Sequence, residues 1–380
     1  MLNKNKVRII FLLNTVGEGS GPLQRASRLY ENELYNISVL EYLGARKKYT
    51  TKDIQNMRIK LQSKYNIPIE GIDASGFYSI KGYIKLFNVI RKEKPYAVFC
   101  HHNVMGIAGV FFSWILGVKK IIKVELSDIS RKSLLERLIL SLVYVISTNV
   151  IFISESSRRS LSFFLSPIVS YKSRVIYNGV SFDSIPNTVD TKNIREEIKV
   201  GKDNVFIFTA SRIHPIKNLE FLLESFAIAK KNNAHIILVV AGRGDASRLI
   251  HKAECLGIKD SVFFLGYITR DKVLEIMVAA DIFAMSSLSE GFSESVVQAM
   301  ACKCPCVLTD IPSFREAIRH GEHGALVPLD DPGEYASWIN ALASKKEFRE
   351  RLGMSARDYA HLNYSIDDVI NNYIELISDD

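Results

Sequence analysis

Two cations share one short loop in the second half of the chain. Arg212 and Lys217 lie five residues apart in Ala210-Ser-Arg-Ile-His-Pro-Ile-Lys-Asn218, which directly follows the apolar run Val205–Thr209. A guanidinium can bind a phosphate through two parallel hydrogen bonds, and an ammonium adds a compact point charge. We therefore predict that this loop, between a strand and a helix, closes on a diphosphate.

A second stretch combines a carboxylate with a glycine-containing turn. The apolar run Asp281–Ser287 predicts a buried strand, and Ser295–Cys302 predicts a helix. A strand, a turn and a helix start direct free backbone N–H groups and the positive end of a helix dipole to one point, which suits a phosphate. In the turn, Glu290 could accept hydrogen bonds from a sugar hydroxyl.

The helix that follows this turn carries further polar candidates. Ser293 is the predicted N-cap residue. Gln298 lies one turn after Glu294, so both are expected on one face of the helix. An ordinary strand-to-helix joint with an exposed Glu is the alternative interpretation of these residues.

Alternating strands and helices must position these loops. Each half of the chain shows strand–helix alternation, which predicts an α/β fold of two doubly wound, Rossmann-like domains with parallel sheets and a cleft at their strand ends. We predict an N-terminal domain over 1–185 and a C-terminal domain over 186–363. A last helix within 364–380 is expected to pack back on the first domain.

Three motifs resemble the family-4 retaining glycosyltransferases, which have the GT-B fold (glycosyl transferases group 1). Glu290 to Gln298 resembles the Glu-x7-Glu signature, with Gln in place of the second Glu. Ala210–Asn218 resembles the loop Gly-Arg-Leu-x-x-x-Lys-Asn. Arg174–Val180 resembles the hinge segment Val-Ile-Pro-Asn-Gly-Val, with Tyr177 in place of Pro. The resemblance covers nearly the whole chain and is strongest in its second half.

The resemblance implies roles for these residues. Arg212, Lys217 and Glu290 would be the catalytic group, because fixed cations stabilise the charge that grows on a departing diphosphate. Glu290 would contact the donor sugar and Gln298 the ribose, as a neutral group with a weaker bond than a carboxylate. The donor-binding residues would be Gly17, Gly19, Gly266, Tyr267, Gly291, Phe292, Ser293, Glu294 and Gln298.

The first half carries a glycine-rich loop and two possible cleft residues. Gly17 and Gly19 follow the first strand, and the family has such a loop beside the donor phosphate and the acceptor. A dinucleotide fingerprint with Glu41 as the ribose acid is an alternative, but the spacing fails at the third glycine. His102 matches the second His of a family pattern. Glu125 stands where the family usually has a His.

Charge is divided unequally along the 380 residues. Residues 1–185 hold 27 Lys and Arg against 13 Asp and Glu, a net +14, while residues 186–380 hold 22 against 28, a net −6. A basic half predicts an anionic partner such as a membrane surface, a solvated face being the alternative. We find no nucleic-acid recognition module.

No apolar run reaches membrane-spanning length and no signal peptide is evident, so we expect a cytoplasmic protein, peripheral on the inner membrane face.

Two further features allow more than one interpretation. An apolar helix over 133–147 contains Leu134, Leu135, Leu138 and Ile139, which could touch a membrane, although core packing is the commoner explanation.

Cys302, Cys304 and Cys306 stand at alternate positions. This spacing matches no usual zinc site, so we expect these cysteines to be small buried residues.

The resemblance therefore implies a retaining glycosyltransferase. It would move a hexose or N-acetylhexosamine from a UDP- or GDP-linked sugar to a glycan or lipid-linked acceptor, in bacterial-type surface polysaccharide synthesis. No cofactor or metal is implied, since no Asp-x-Asp pair is visible. The alternatives are a sugar-nucleotide epimerase of the same fold, a non-catalytic nucleotide-binding relative, and a nicotinamide-dependent oxidoreductase.

Overall fold

A computed structural model describes residues 6–17, 20–43, 51–74, 76, 78–101, 104–126, 129, 132–161, 166–186 and 188–379. The chain forms two compact units. The first contains Met1–Tyr177 together with Asp368–Asp380, and the second contains Asn178–Asp367. The division thus falls eight residues before the 185/186 boundary expected from the sequence. Hydrogen bonds from Val180 N to Tyr364 O (2.8 Å) and from Ile366 N to Val180 O (3.1 Å) tie this segment to the second unit.

The first unit has a seven-stranded parallel sheet in the order β3-β2-β1-β4-β5-β6-β7. Its elements are β1 (Val7–Leu13), α1 (Gly21–Tyr30), β2 (Tyr35–Leu43), α2 (Thr51–Tyr65), β3 (Ile69–Ala74), α3 (Ile80–Glu93), β4 (Ala97–Cys100), α4 (Val104–Ile115), β5 (Lys120–Glu125), α5 (Leu134–Ile146), β6 (Asn149–Phe152), α6 (Glu155–Arg159), α7 (Ser166–Ser170) and β7 (Ser173–Val175).

Apolar strands form the centre of this unit. β1 pairs in register with β2 and with β4, so that Phe11 lies opposite Val39 on one side and Phe99 on the other. All four residues of β4 are buried, as expected for a parallel strand covered on both faces. Helix ends are fixed locally: the Ser79 side chain accepts from Gly82 N at the start of α3.

The C-terminal helix supplies part of the first unit's core. In α16 (Ile366–Ser378), Tyr373 stacks on Phe99 with ring centroids 4.9 Å apart. Arg174, in the edge strand β7, forms ion pairs with Glu375 at 3.0 Å and with Asp379 at 2.8 Å. Burial of an aromatic ring and two exposed ion pairs therefore hold the last residues against the first unit's sheet.

The second unit has a six-stranded parallel sheet in the order β10-β9-β8-β11-β12-β13. Its elements are α8 (Thr191–Glu197), β8 (Val205–Ala210), α9 (Leu219–Asn232), β9 (Ile236–Ala241), α10 (Ser247–Cys255), β10 (Val262–Gly266), α11 (Arg270–Ala279), β11 (Ile282–Met285), α12 (Glu294–Ala301), β12 (Cys306–Thr309), α13 (Pro312–Ala317), β13 (Gly324–Val327), α14 (Pro332–Ser344) and α15 (Lys346–Tyr364).

The strand order of this sheet reverses direction between β8 and β11. From β8 the chain proceeds outward through β9 and β10, and then returns to place β11 on the other side of β8. In open parallel sheets, ligands bind at the carboxyl ends of the strands beside such a reversal, because the loops diverge there. The two loops singled out from the sequence, after β8 and after β11, are the two that flank this point. Both units are doubly wound, as predicted.

One helix of the first unit departs from the expected core packing. In α5 only Leu140, Val143 and Tyr144 are buried, whereas Leu134, Leu135 and Leu138 are 60–75% exposed. The apolar character of this helix therefore extends well beyond the face that packs on the sheet. Within the described part of the chain, no helix has the length and apolar content needed to cross a membrane.

Candidate active site at the strand ends of the second unit

The structure brings the predicted lysine and glutamate together. Lys217 ends a single 3₁₀ turn, Pro215–Lys217, that links β8 to α9, and its Nζ forms an ion pair with Glu290 Oε1. The Ser287 hydroxyl donates to the same carboxylate oxygen at 2.7 Å. Both charged side chains remain 13–14% exposed. An anionic ligand reaching this point would compete with Glu290 for the ammonium.

A serine side chain and a backbone hydrogen bond fix the two loops to each other. Ser286 Oγ donates to Lys217 O at 3.0 Å and to Asn218 O at 2.9 Å. Leu288 N donates to Ile216 O at 2.8 Å. Since these contacts join the end of β11 to the β8–α9 loop, the separation of Lys217 and Glu290 is set by backbone anchors and not only by their own attraction.

Arg212 lies on the same loop as Lys217 and points away from the core. It is exposed, and its guanidinium has no ion-pair partner among the described residues. The backbone around it is held tightly, since Ser211 N donates to Ala241 O and Ile213 N to Arg243 O. At Gly242, φ is +157° and an added Cβ would lie 1.6 Å from Ser211 O, so only glycine allows this close approach.

The turn after β10 continues this edge of the sheet. Gly266 has φ of +65° and its carbonyl accepts from Gly242 N at 2.8 Å. Tyr267 is half exposed, and the Arg243 guanidinium lies 4.0 Å from the centre of its ring. Backbone hydrogen bonds thus connect the loop after β8 to the loop after β9, and the loop after β9 to the turn after β10. Gly266 and Tyr267 were predicted from the sequence, whereas Arg243 was not, although it lies between two glycines directly after a strand.

The turn before α12 confirms the position of Ser293 but corrects its role. Ser293 is the N-cap residue, yet its side chain caps no backbone N–H and lies 3.5 Å from Met285 Sδ instead. The first N–H groups of α12 are therefore not satisfied by this hydroxyl. Gly291 precedes Phe292, whose buried ring packs 5.6 Å from that of Tyr364.

Glu294 and Gln298 both belong to α12, as expected from their spacing. Glu294 is half-buried in the first turn, where a carboxylate is stabilised by the helix dipole. Gln298 is 6% exposed and lies one turn further along. Ser287 was not predicted from the sequence, because a serine at a strand end is common and only its contact with Glu290 distinguishes it.

The glycine-rich loop of the first unit is only partly described. Gly17 is described, and an added Cβ there would meet no atom within 4 Å. Gly19 and His102 lie outside the described residues. Glu41, the alternative ribose acid, is buried: its carboxylate accepts from Val16 N at 2.9 Å and from Arg58 Nε at 2.7 Å. Both oxygens are engaged in holding this loop, so Glu41 offers no ribose contact.

Glu125 ends β5 inside the first unit. It is fully buried, accepts a hydrogen bond from the Tyr144 hydroxyl at 2.9 Å and lies 3.5 Å from Lys123 Nζ. Burial, followed by the Glu125 charge, raises the pKa of Tyr144 above its usual value, so the phenol remains the donor. Glu125, which was expected to line a cleft, therefore forms an ion pair in the interior of the first unit.

The three clustered cysteines are small, largely buried residues, as expected. Cys304 and Cys306 are buried, and burial raises the pKa of Cys302 to about 12. Thiolates are the form that ligates metals, and burial opposes it here. Within the described ranges, no group of three or more His, Cys, Asp or Glu residues is arranged to hold a metal ion.

Comparison with known proteins finds a family similarity in the second unit. Residues 190–359 match the family model described as Glycosyl transferases group 1. The match covers most of the second unit, including Arg212, Lys217 and Glu290. Across this domain the chain is similar to the group 1 glycosyltransferases, and its two doubly wound units have the GT-B fold.

Individual proteins resemble the chain over larger shares of its length. The chain is 28% identical over 236 residues to the uncharacterized glycosyltransferase MJ1607 of Methanocaldococcus jannaschii, spanning 60% of each protein. It is 25% identical to the UDP-Gal:alpha-D-GlcNAc-diphosphoundecaprenol alpha-1,3-galactosyltransferase of Escherichia coli, over 69% of each. Alr3699/HepE of Anabaena, solved with UDP and glucose, has a TM-score of 0.83 at 19% identity, covering 98% of this chain and 99% of its own. That likeness shows the fold.

Proposed function

We propose that the protein is a retaining glycosyltransferase that takes a hexose or N-acetylhexosamine from a nucleoside diphosphate sugar. The observation that carries the proposal is the group at the strand reversal of the second unit, where Lys217, Glu290 and Ser287 meet. The loop that carries Lys217 also carries the exposed Arg212. Two cations and a hydrogen-bonded carboxylate at one strand edge match the two ends of such a donor: a diphosphate and a sugar with hydroxyl groups.

The chemistry needs no nucleophilic side chain. The acceptor hydroxyl oxygen forms a bond to the anomeric carbon while the bond from that carbon to the diphosphate oxygen breaks. Attack on the same face preserves the anomeric configuration. The acceptor proton passes to the departing phosphate oxygen, and the nucleoside diphosphate leaves.

Each residue of the second unit has a part in this proposal. Arg212 and Lys217 stabilise the negative charge that grows on the diphosphate, so they favour the transition state over the ground state. Glu290 accepts a hydrogen bond from the donor sugar, and Gln298 accepts one from the ribose. The backbone at Gly266 and Tyr267 holds the nucleobase. The transfer requires no metal ion or other cofactor in this scheme.

The acceptor side of the proposal is a glycan or a lipid-linked sugar recognised by the first unit. The E. coli relative is named for a diphosphoundecaprenol-linked acceptor, and the net charge of +14 over residues 1–185 suits a lipid phosphate or an anionic membrane surface. We place the protein on the inner face of the membrane in surface polysaccharide synthesis. A GT-B epimerase and a non-catalytic relative are the alternatives to be tested.

A transfer assay distinguishes these functions. The protein is incubated with UDP- and GDP-linked hexoses and N-acetylhexosamines, with and without a lipid extract as acceptor, and products are measured by mass spectrometry. We expect a lipid product one sugar heavier and release of the nucleoside diphosphate. In Lys217→Ala, turnover should fall roughly 100-fold or more. The exposed Lys231→Ala, at the end of α9, is the matched control and should keep full turnover.

The other outcomes of this assay reject the proposal. A sugar nucleotide that isomerises without acceptor would indicate an epimerase. Nucleotide binding without any transfer, from a folded sample supplied with each donor and acceptor, would indicate a non-catalytic relative. Full turnover in Lys217→Ala would remove this lysine from the site.

A further inference from the structure

Helix α5 of the first unit has apolar side chains on two opposite faces. Leu140, Val143 and Tyr144 pack inward. On the outer side, the exposed fractions are 75, 67, 60, 51 and 44% for Leu134, Leu135, Leu138, Leu142 and Val145. With about 100° per residue, these five fall within an arc of about 100°, centred opposite the buried face. They are referred to below as the α5 stripe.

The α5 stripe is too extensive to be an accidental set of exposed residues. Contiguous exposed apolar surface marks a contact with a protein or a membrane. The stripe follows one face of a helix that is 13 residues long, about 20 Å, which is shorter than a membrane span. A helix of this kind lies in the plane of a membrane surface with one face inserted.

Charged residues at both ends of the stripe favour an anionic lipid surface. Lys132 precedes the helix and Arg137 lies in its second turn. Glu136, the acid in this helix, uses its carboxylate to close a capping box with Ser133. At the far end, Lys172 Nζ donates to Val145 O at 2.6 Å and to Ser147 O at 2.8 Å.

An interfacial side chain stands beside this lysine. Tyr171 is 79% exposed next to Lys172. Tyrosine, lysine and arginine with apolar stems concentrate where hydrocarbon meets water. A second copy of the chain is a poorer occupant, because it would bring two basic halves of net charge +14 together.

We propose that α5 is the membrane-contacting element of this protein: the α5 stripe inserts at the headgroup–acyl boundary of an anionic bilayer, while Lys132 and Arg137 contact lipid phosphates. The inference rests on the part of the proposed function that brings the first unit to a membrane. It adds which element makes the contact and in which orientation the helix lies.

Vesicle co-sedimentation of the full chain tests it. Vesicles are phosphatidylcholine alone or mixed with phosphatidylglycerol. Wild type should bind the mixed vesicles more tightly, and less so at high salt. The pair Leu138→Glu and Leu142→Glu should weaken binding about 30-fold or more, because two inserted leucines are lost. The matched control pair, Met354→Glu and Leu362→Glu, changes side chains that are 60 and 78% exposed on α15, and should bind as wild type does.

A charge variant and a nucleotide titration complete the test. Lys132→Gln should weaken binding to the mixed vesicles about fivefold and leave binding to phosphatidylcholine unchanged. Titration of every variant with UDP and GDP should give wild-type affinity, so a failed donor site is distinguished from a failed membrane surface. Equal vesicle binding by both glutamate pairs would overturn the proposal. So would a concentration-dependent dimer in sedimentation velocity that is lost in the Leu138 and Leu142 variant, with no vesicle binding by wild type.

Discussion

Each unit pairs a lysine with a glutamate near the carboxyl ends of its parallel strands, but the surroundings of the two pairs differ. In the first unit, Lys123 and Glu125 are 0 and 1% exposed and Glu125 also accepts from Tyr144. In the second, Lys217 and Glu290 are 14 and 13% exposed and are carried by loops. A pair on a strand inside the core is locked by packing on every side. A pair on loops at the sheet edge can exchange partners with a ligand.

The difference in burial between the two pairs indicates that one contributes to stability and the other can take part in ligand binding. A buried ion pair gains little net stability, but removal of one partner leaves a costly unpaired charge. A pair that reaches solvent loses less when broken, and its members keep the freedom that phosphate and sugar binding require. We therefore assign Glu125 to the stability of the first unit and Glu290 to the proposed transfer.

Glu290→Gln should give the largest change in activity. The amide cannot accept a charge-assisted hydrogen bond from the donor sugar, and it leaves Lys217 without its carboxylate partner. We expect turnover to fall roughly 100-fold or more, while the free energy of unfolding changes by about 1 kcal/mol or less. The assay is sugar transfer, with chemical denaturation on the same samples. Glu350→Gln, an exposed carboxylate of α15, is the control; an equal loss there would make the effect nonspecific.

Glu125→Ala should give the largest change in stability. Because it leaves Lys123 buried and unpaired, the free energy of unfolding of the first unit should fall by about 3–5 kcal/mol. Tyr144→Phe removes only one hydrogen bond and should cost about 1 kcal/mol. Denaturation followed by circular dichroism measures both. Lost turnover in Tyr144→Phe at unchanged stability would instead place this cluster in the reaction.

Gln298→Glu should give the smallest effect, and it acts on binding. A carboxylate accepts stronger hydrogen bonds than an amide, so contact with a ribose diol should tighten nucleotide binding about fivefold. Calorimetry with the best nucleoside diphosphate measures the gain. The 2′-deoxy form of the same nucleotide should lose part of it. An unchanged affinity for both forms would remove Gln298 from the ribose contact.

Local sequence determined much of this architecture and part of the site. The apolar runs that became β8 and β11 were visible, and Arg212, Lys217 and Glu290 could be singled out because each lies in a short loop directly after a strand. The pairing of Lys217 with Glu290 follows from the strand order, since β8 and β11 are adjacent in the sheet.

Features that depend on tertiary surroundings were not predictable in the same way. The sequence of α5 is equally compatible with burial and exposure, because its apolar residues occupy both faces. Ser293 has the right type and position for a cap, yet its rotamer turns toward Met285. Glu125 could not be assigned to the interior until Tyr144 of α5 and Lys123 were seen to surround it.

Calorimetric titration with UDP, GDP, ADP and NAD, on wild type and Arg212→Ala, tests the central claim most directly. That claim is that the strand ends of the second unit bind a nucleoside diphosphate through the β8–α9 loop. We predict selective binding of one nucleoside diphosphate to wild type, weakened at least tenfold in Arg212→Ala because a charge-assisted, bidentate contact is lost. Binding of NAD alone, or full affinity in Arg212→Ala, would contradict it.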